Sequence, residues 1–453
     1  MCSLMTMLGY GEEIRRRRTD KYRDTDMVIN SAQSLFTVNT AGSKAEGLTC
    51  PLESDVDCLF VLNDVLCVES GTSLRTVQDD KYLLRIDMRA PPGYCKLLQE
   101  RETQTMGSYL VQESLCDNGY GEKNLSSALW INLWINFFKW FSLPLLWNNS
   151  IVNCEIAGPS IPDIRGGKVH NDKVFGLRCH CNSILQRWAA RPRHWPSKDI
   201  IAKVVSLGAY VTPVGSKESE YKHMEWRICF NTGEAELVNN LTDTHAKVYV
   251  ILRMILKEII KPENKEITSF VLKNIVLWQA EKTPRTEFRA GRFFHWLHDG
   301  LKELKTAIEN RHFRYYMIPE RNLMAACGLD DALQSKWVAD ITDMMEEGHK
   351  VILRLEKIRK AIVASPEPML WFSKNKIELE MLELELFTRV RQCKTLTDYN
   401  IFTNAIRRRK FEIVREVKVR MTLEGGSSHD ELNALLDVEC WLDLQDLWFR
   451  LLE

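Results

Sequence analysis

Apolar and polar positions change their rhythm near residue 240 of this chain. Before it, short segments alternate at a period of two or run apolar between turn signals; after it, apolar residues recur at helical spacing. Asp55–Leu62 alternates acid and apolar before becoming wholly apolar, which predicts a strand, and Lys81–Met88 and Lys173–Cys179 predict two more. Gly158–Gly167, carrying Pro159, Pro162 and the Gly166-Gly167 pair, predicts a loop. Ala246–Ile260, Ser269–Ala280, Phe293–Ile308 and Leu333–Ile362 predict helices, and the pattern continues to the end of the chain with a break at Gly425–Ser428. The expected class is therefore α+β, mixed in the first half and helical in the second.

Ala128–Trp147 is apolar enough to suggest a membrane span. Asn132, Asn136 and Lys139 nevertheless form one polar stripe of a helix, and Pro144 falls inside the stretch. A charge at mid-span costs about 2.5–3.5 kcal/mol, so we expect a packed amphipathic helix and no transmembrane span.

Composition narrows the picture. With 453 residues, 45% hydrophobic and 27% charged, the chain is long and apolar enough for two or three packed units. Its 61 Lys and Arg balance 61 Asp and Glu, so any nucleic-acid binding must come from local patches. Thirteen scattered cysteines without a secretory leader predict reduced thiols and a cytoplasmic protein. Two basic runs stand out: Arg15–Arg18, and Arg407–Lys410 with Arg415, Lys418 and Arg420. We read both as solvated helix faces, the second balanced by Asp430–Asp446; the alternative for the first is phosphate contact, and for the second contact with nucleic acid or an acidic partner, or a nuclear address.

The chemistry-bearing segment lies between residues 40 and 60. Thr40-Ala41-Gly42-Ser43 is a turn, and Asp55 and Asp57 follow at a spacing of two. On a strand such residues share a face. Paired carboxylates suit a hard divalent cation, and with a third acid two metal ions can clamp an in-line phosphoryl displacement. Gly42 permits close backbone approach, and the Ser43 amide and hydroxyl can hold phosphate oxygens.

Further segments appear in a telling order: Asp172-Lys173-Val174-Phe175-Gly176-Leu177, Arg187-Trp188, Arg191–Ser197, Glu225-Trp226-Arg227-Ile228-Cys229-Phe230 with Glu234, and Ser269-Phe270-Val271-Leu272-Lys273-Asn274 running to Glu281. With Gly42-Ser43 and Ser54–Asp57, this array resembles the Mab-twenty-one-like nucleotidyltransferases, the family of cyclic GMP-AMP synthase and its receptor relatives, across about residues 35 to 325. The resemblance implies a bilobed fold: a nucleotidyltransferase core lobe over 1–238, a mixed twisted sheet flanked by helices; an all-helical, helix-hairpin-helix-like lobe over 239–325; and a helical C-terminal extension over 326–453. It implies synthesis of a cyclic dinucleotide from ATP and GTP, in an innate immune sensor switched on by double-stranded nucleic acid.

Carried over by residue, Asp55, Asp57 and Asp172 would bind two Mg²⁺ or Mn²⁺, with Asp163 the fallback for Asp172. Gly42 and Ser43 would hold the donor triphosphate, Arg253 and Ser269 would reach donor phosphates, Arg227 would lie beside the acceptor, and Phe270 would stack on the donor base. Each has a structural alternative: Arg227 as an ion-pair partner of Glu225 or Glu234, Ser269 as a helix cap, Phe270 as core. Double-stranded RNA or DNA would meet Arg187, Arg191, Arg193, Lys198 and Lys203, read through phosphates and 2′-hydroxyls, and a ligand-induced dimer is compatible with this scheme. Cys229 departs from the family's serine. His245 stands without companion cysteines, and Cys179-His180-Cys181 is too tight for a tetrahedral site, so no zinc is expected. The competing class is a catalytically inactive member acting in signalling. A template-independent polymerase shares the acids but not the Glu225–Phe230 and Ser269–Glu281 segments.

Overall fold

The computed structural model describes residues 1–32, 34–50, 53–72, 78–117, 121–141, 158–165, 169–260, 267–325, 327–364, 366–392 and 396–424. They divide into two compact units: residues 26–42 with 55–351, and residues 1–25 with 43–54 and the chain from 352 onward.

The larger unit is mixed α+β. Its strands are β1 (Phe36–Ala41), β2 (Val56–Glu69), β3 (Tyr82–Asp87), β4 (Tyr94–Arg101), β5 (Leu115–Asp117), β6 (Lys123–Leu125), β7 (Ser160–Arg165), β8 (Val169–His180), β9 (Ala209–Thr212) and β10 (Glu225–Cys229). They pair in the order β1-β2-β3-β4-β10-β9-β8-β7, with β2 also pairing with β8 and β6 joining β4 to β5. The predicted strands are present; β2 and β8 are longer than the pattern suggested and β3 is slightly shorter. The loop expected at 158–167 is instead β7 over Ser160–Arg165, antiparallel to β8 with Pro162 opposite Asp172. Pro162 is tolerated because β7 ends the sheet path, where a strand edge needs no further backbone donor.

Strand alternation gives β2 and β8 two unlike faces. Phe60 and Phe175 point one way and stack at 5.0 Å, meeting Phe36 and Trp134. Trp134 and Trp130, four residues apart on the helix Ser127–Phe141, are both buried, while Asn132 and Asn136 are exposed. Trp130 anchors this helix by donating its indole N–H to the Phe175 carbonyl at 2.8 Å. That part of the apolar stretch is thus a packed amphipathic helix; residues 142–150 lie outside the described ones. Among the described residues no helix is long and apolar enough to cross a membrane. The opposite face of β2 and β8 carries Leu59, Val61 and Val174, packed with Tyr210, and, further back along the same face, Asp57 and Asp172.

The second half of this unit is helical: Asp243–Ile255, Ser269–Lys282, Phe293–Glu309 and Asp331–Glu347. Every residue from Val271 to Glu281 is buried, so this helix is enclosed on all sides and its polar residues must find partners internally. His245 closes a capping box with Thr242 at 2.6 Å and stacks on Phe288.

In the smaller unit, the Arg15–Arg18 run splits by helical period. Arg16 and Arg17 are exposed beside Glu12 and Glu13, as a solvated face requires. Arg15 and Arg18 are buried, and Arg18 grips the Glu380 carboxylate with two donors at 2.5 and 2.6 Å. The reading of this run as wholly solvated is therefore corrected: three-residue spacing places Arg15 and Arg18 on the inward stripe with Ile14. The C-terminal run lies on the helix Leu396–Glu424, where Arg409 pairs with Glu378, Glu412 and Glu416, and Arg420 with Glu367. Its balancing acids thus come from these helices, while Asp430–Asp446 lies outside the described residues. The sulfurs of Cys179 and Cys181 face each other at the end of β8.

Candidate active site

Asp57 is the second residue of β2 and Asp172 the fourth of β8. The two strands are parallel, and their register sets Asp57 directly beside Asp172. Adjacent strands lie about 4.8 Å apart and in-register neighbours share a face, so the two carboxylates emerge side by side. Ala41, the last residue of β1, is the antiparallel partner of Asp57, which brings the following Gly42 against the acid. A Cβ at Gly42 would lie 2.2 Å from Asp57 Oδ2, and Gly42 has φ +66°. Only glycine meets both demands.

Two residues that the motif reading missed hold this arrangement. Ser160 on β7 donates its hydroxyl to Asp172 Oδ1 at 2.6 Å. Asp26 accepts from both the amide and the hydroxyl of Thr40, each at 2.7 Å, fixing the strand end just before Gly42. Burial raises the Asp26 pKa, and the two Thr40 bonds only partly offset that. An acid fourteen residues before the turn carries no local signal of this role.

Asp55 precedes β2 and is exposed. Among the described residues no three His, Cys, Asp or Glu side chains are gathered closely enough to hold a metal ion. Asp57 and Asp172 are thus brought together, while Asp55 is not drawn in. Asp163, the fallback, sits on β7 opposite Asn171. In the smaller unit Ser43 belongs to the short helix Gly42–Ala45, with its hydroxyl 3.2 Å from that of Ser54, which in turn reaches Thr49 at 3.2 Å. That segment is braced by Glu53, which accepts from Tyr10 at 2.6 Å, the Cys50 amide at 2.8 Å and Lys357 at 3.2 Å. Burial alone would raise the Glu53 pKa, but Lys357 and these donors bring it down to about 2. Lys44, donating to the Cys50 carbonyl, is pushed down to about 8, chiefly by burial.

A second cluster gathers the later segments around Tyr315. Glu234 accepts from Tyr315 at 2.6 Å and from Lys273 at 3.0 Å, all three buried. Phe270, half-buried, lies 5.6 Å from the Tyr315 ring, with Lys273 Nζ 5.0 Å from its own ring. Arg227 on β10 pairs with neither Glu225 nor Glu234. Burial disfavours its charge, yet Cys229, Tyr94 and Tyr315 outweigh that and raise its pKa. Glu225 instead binds the Ser216 amide and the Ser219 hydroxyl. Ser269 is the first residue of its helix and Thr268 the cap, so Ser269 is not the cap; Arg253 lies half-exposed in the last turn of its own helix.

The five basic residues assigned to duplex binding separate sharply. Arg191 and Arg193 converge on the buried Glu281 at 3.0 and 3.6 Å, and their guanidinium groups cover the rings of Trp278, Tyr316 and Trp188. With 18% and 4% of their side chains accessible, they are internal struts, a correction to their assignment as nucleic-acid contacts. Arg187, Lys198 and Lys203 are exposed, with Arg187 beside Glu320 and Lys203 beside Glu236.

No curated protein matches the chain. Residues 244–341, which take in the buried helix 269–282 and the Tyr315 cluster's second-half members, match the model of the Mab-21 protein HhH/H2TH-like domain. Over those residues the chain is similar to that domain of Mab-21 proteins, in agreement with the resemblance carried by the Ser269–Glu281 segment.

Proposed function

We propose that the protein is a metal-dependent nucleotidyltransferase that joins nucleoside triphosphates, ATP and GTP foremost, into a cyclic dinucleotide. The observation that carries this reading is the register that sets Asp57 beside Asp172 beneath Gly42. Paired carboxylates supply the kind of oxygen ligand that hard divalent cations take. Asp57 and Asp172 would hold Mg²⁺ or Mn²⁺, and Asp55, exposed just outside the strand, is the ligand recruited to complete the set. Bound metal supplies charge stabilisation to both the attacking and the leaving oxygen. The protein's own part is positional: Ser160 orients Asp172, Gly42 lets the backbone approach, Ser43 offers a hydroxyl to donor phosphates, and Phe270 offers a ring face to a base. Duplex RNA or DNA, if it is the trigger, meets the exposed Arg187, Lys198 and Lys203.

The second reading is an inactive family member acting through binding or signalling, in which Asp55 stays exposed outside the carboxylate pair. The two separate on one assay. Purified protein is incubated with labelled ATP, GTP, CTP and UTP, Mn²⁺, and a panel of duplex RNAs and DNAs. A cyclic dinucleotide formed by the wild type and by neither Asp57→Ala nor Asp172→Ala establishes the enzyme; no product under any condition establishes the inactive reading.

A further inference from the structure

A cleft of about 420 Å³ opens where β2 is interrupted between Leu62 and Leu66, at the far end of the sheet from the carboxylates. Its polar lining includes Asn63, Lys81, Arg178, His180, Asn182 and Tyr210, and among the described residues none that lines it is acidic. Arg178 and His180 lie on the same face of β8 as Asp172, six and eight residues further on. At about 3.3 Å per residue that separates Arg178 from Asp172 by roughly 20 Å, so this is a different place from the candidate active site.

The interruption in β2 explains both the opening and its charge. A break in register frees backbone from the ladder and re-aims side chains. The Asn63 carbonyl freed in this way accepts from Lys81 Nζ at 3.1 Å, which holds that cation at the cleft. Acids close by in sequence are directed elsewhere. Asp64 accepts from the Gly107 amide at 2.9 Å, and Glu69 accepts from the Ser183 amide at 3.1 Å. Asp80 stands 3.9 Å from Lys81 but is itself largely exposed. Arg178 is exposed and forms no ion pair among the described residues. The floor is apolar, made by Val61 and the buried Tyr210 ring.

We propose that this cleft binds a phosphorylated small molecule of nucleotide size, its phosphate held by Arg178 and Lys81 and its uncharged part set against Val61 and Tyr210. A guanidinium fork matches phosphate geometry, and an ammonium beside it adds charge without competing for that geometry. His180 lies next to the phosphate position. Burial and the neighbouring Arg178 hold its pKa below the ordinary value, so in the empty cleft it is a neutral imidazole able to donate a hydrogen bond.

The test is equilibrium binding by calorimetry on the full chain, in EDTA and in the Asp57→Asn background, so that it does not depend on the catalytic reading. Inorganic phosphate, AMP and adenosine are the probes. AMP is expected to bind saturably, phosphate more weakly, and adenosine not at all. Arg178→Ala is expected to weaken AMP by tenfold or more, with Arg178→Lys recovering part of the loss. Imidazole resonances of His180 should shift on titration with AMP. Should Arg178→Ala fail to fold, Lys81→Ala with the His180 shift carries the same comparison. Equal binding by Arg178→Ala and its parent, adenosine binding as well as AMP, or no binding of AMP and phosphate at millimolar concentration would each overturn the proposal.

Discussion

Replacing Gly42 by alanine places a methyl group where the Asp57 carboxylate already stands. The new Cβ would lie 2.2 Å from Oδ2 and 3.3 Å from Cγ, but 3.7 Å from the Asp57 Cβ, an ordinary contact. Two costs therefore add. The left-handed backbone at φ +66° costs a non-glycine residue about 1–2 kcal/mol, and displacing the packed carboxylate costs roughly 1–3 kcal/mol more. Gly71, at φ +85° with nothing within 4 Å of its would-be Cβ, isolates the first cost, so Gly71→Ala should lose only about 1–2 kcal/mol. The second cost belongs to the carboxylate alone. In an Asp57→Ala background the atoms nearest the methyl group are gone, and Gly42→Ala should cost no more than Gly71→Ala. Denaturant unfolding of wild type, both single variants and the double variant gives the coupling, expected at about 1–3 kcal/mol. Additivity within about 0.5 kcal/mol would refute the claim that Gly42 and Asp57 share this space.

Three further outcomes follow from the same geometry. Lys273→Met leaves the Glu234 carboxylate buried without that cation and should destabilise by about 3–5 kcal/mol, with Glu234→Leu added to it recovering much of the loss in thermal unfolding. Arg191→Ala with Arg193→Ala should cost a similar amount by stranding Glu281, whereas Arg193→Ala alone costs less because Arg191 stays 3.0 Å from that acid; retained duplex affinity in a folded Arg193→Ala protein, by gel shift, confirms an internal role. Glu53, near 2 when folded against an ordinary 4.5, contributes stability that is fully present above about pH 4.5 and fades as pH falls toward 2. The stability difference between wild type and Glu53→Gln should therefore shrink across that window, and a pH-independent difference would count against the Lys357 pairing.

What was legible in the sequence was local. The Asp55–Leu62 alternation gave β2, the apolar run after Lys173 gave β8, and the polar stripe of Asn132, Asn136 and Lys139 gave a packed helix rather than a span. Pairing across the chain was not legible: nothing near Asp172 announces that it lies beside Asp57, and Pro162 disguised β7, whose Ser160 orients that acid. The Arg191–Ser197 segment looked like a basic surface because its partners, Glu281, Trp278 and Tyr316, lie far along the chain. Arg15–Arg18 was more readable than we took it to be, since Ile14, Arg15 and Arg18 form one helical stripe. The glycine cradle at Gly42 was anticipated as an approach to phosphate; its nearest neighbour is the acid itself.

The central claim is that Asp57 and Asp172 together form a divalent-cation site. Mn²⁺ titration followed by electron paramagnetic resonance, on wild type, Asp57→Asn, Asp172→Asn and Asp163→Asn, tests it most directly. The account predicts that Asp57→Asn and Asp172→Asn each weaken Mn²⁺ by about tenfold or more, while Asp163→Asn binds as the wild type does. Unchanged Mn²⁺ affinity in Asp172→Asn, or a loss confined to Asp163→Asn, would contradict it.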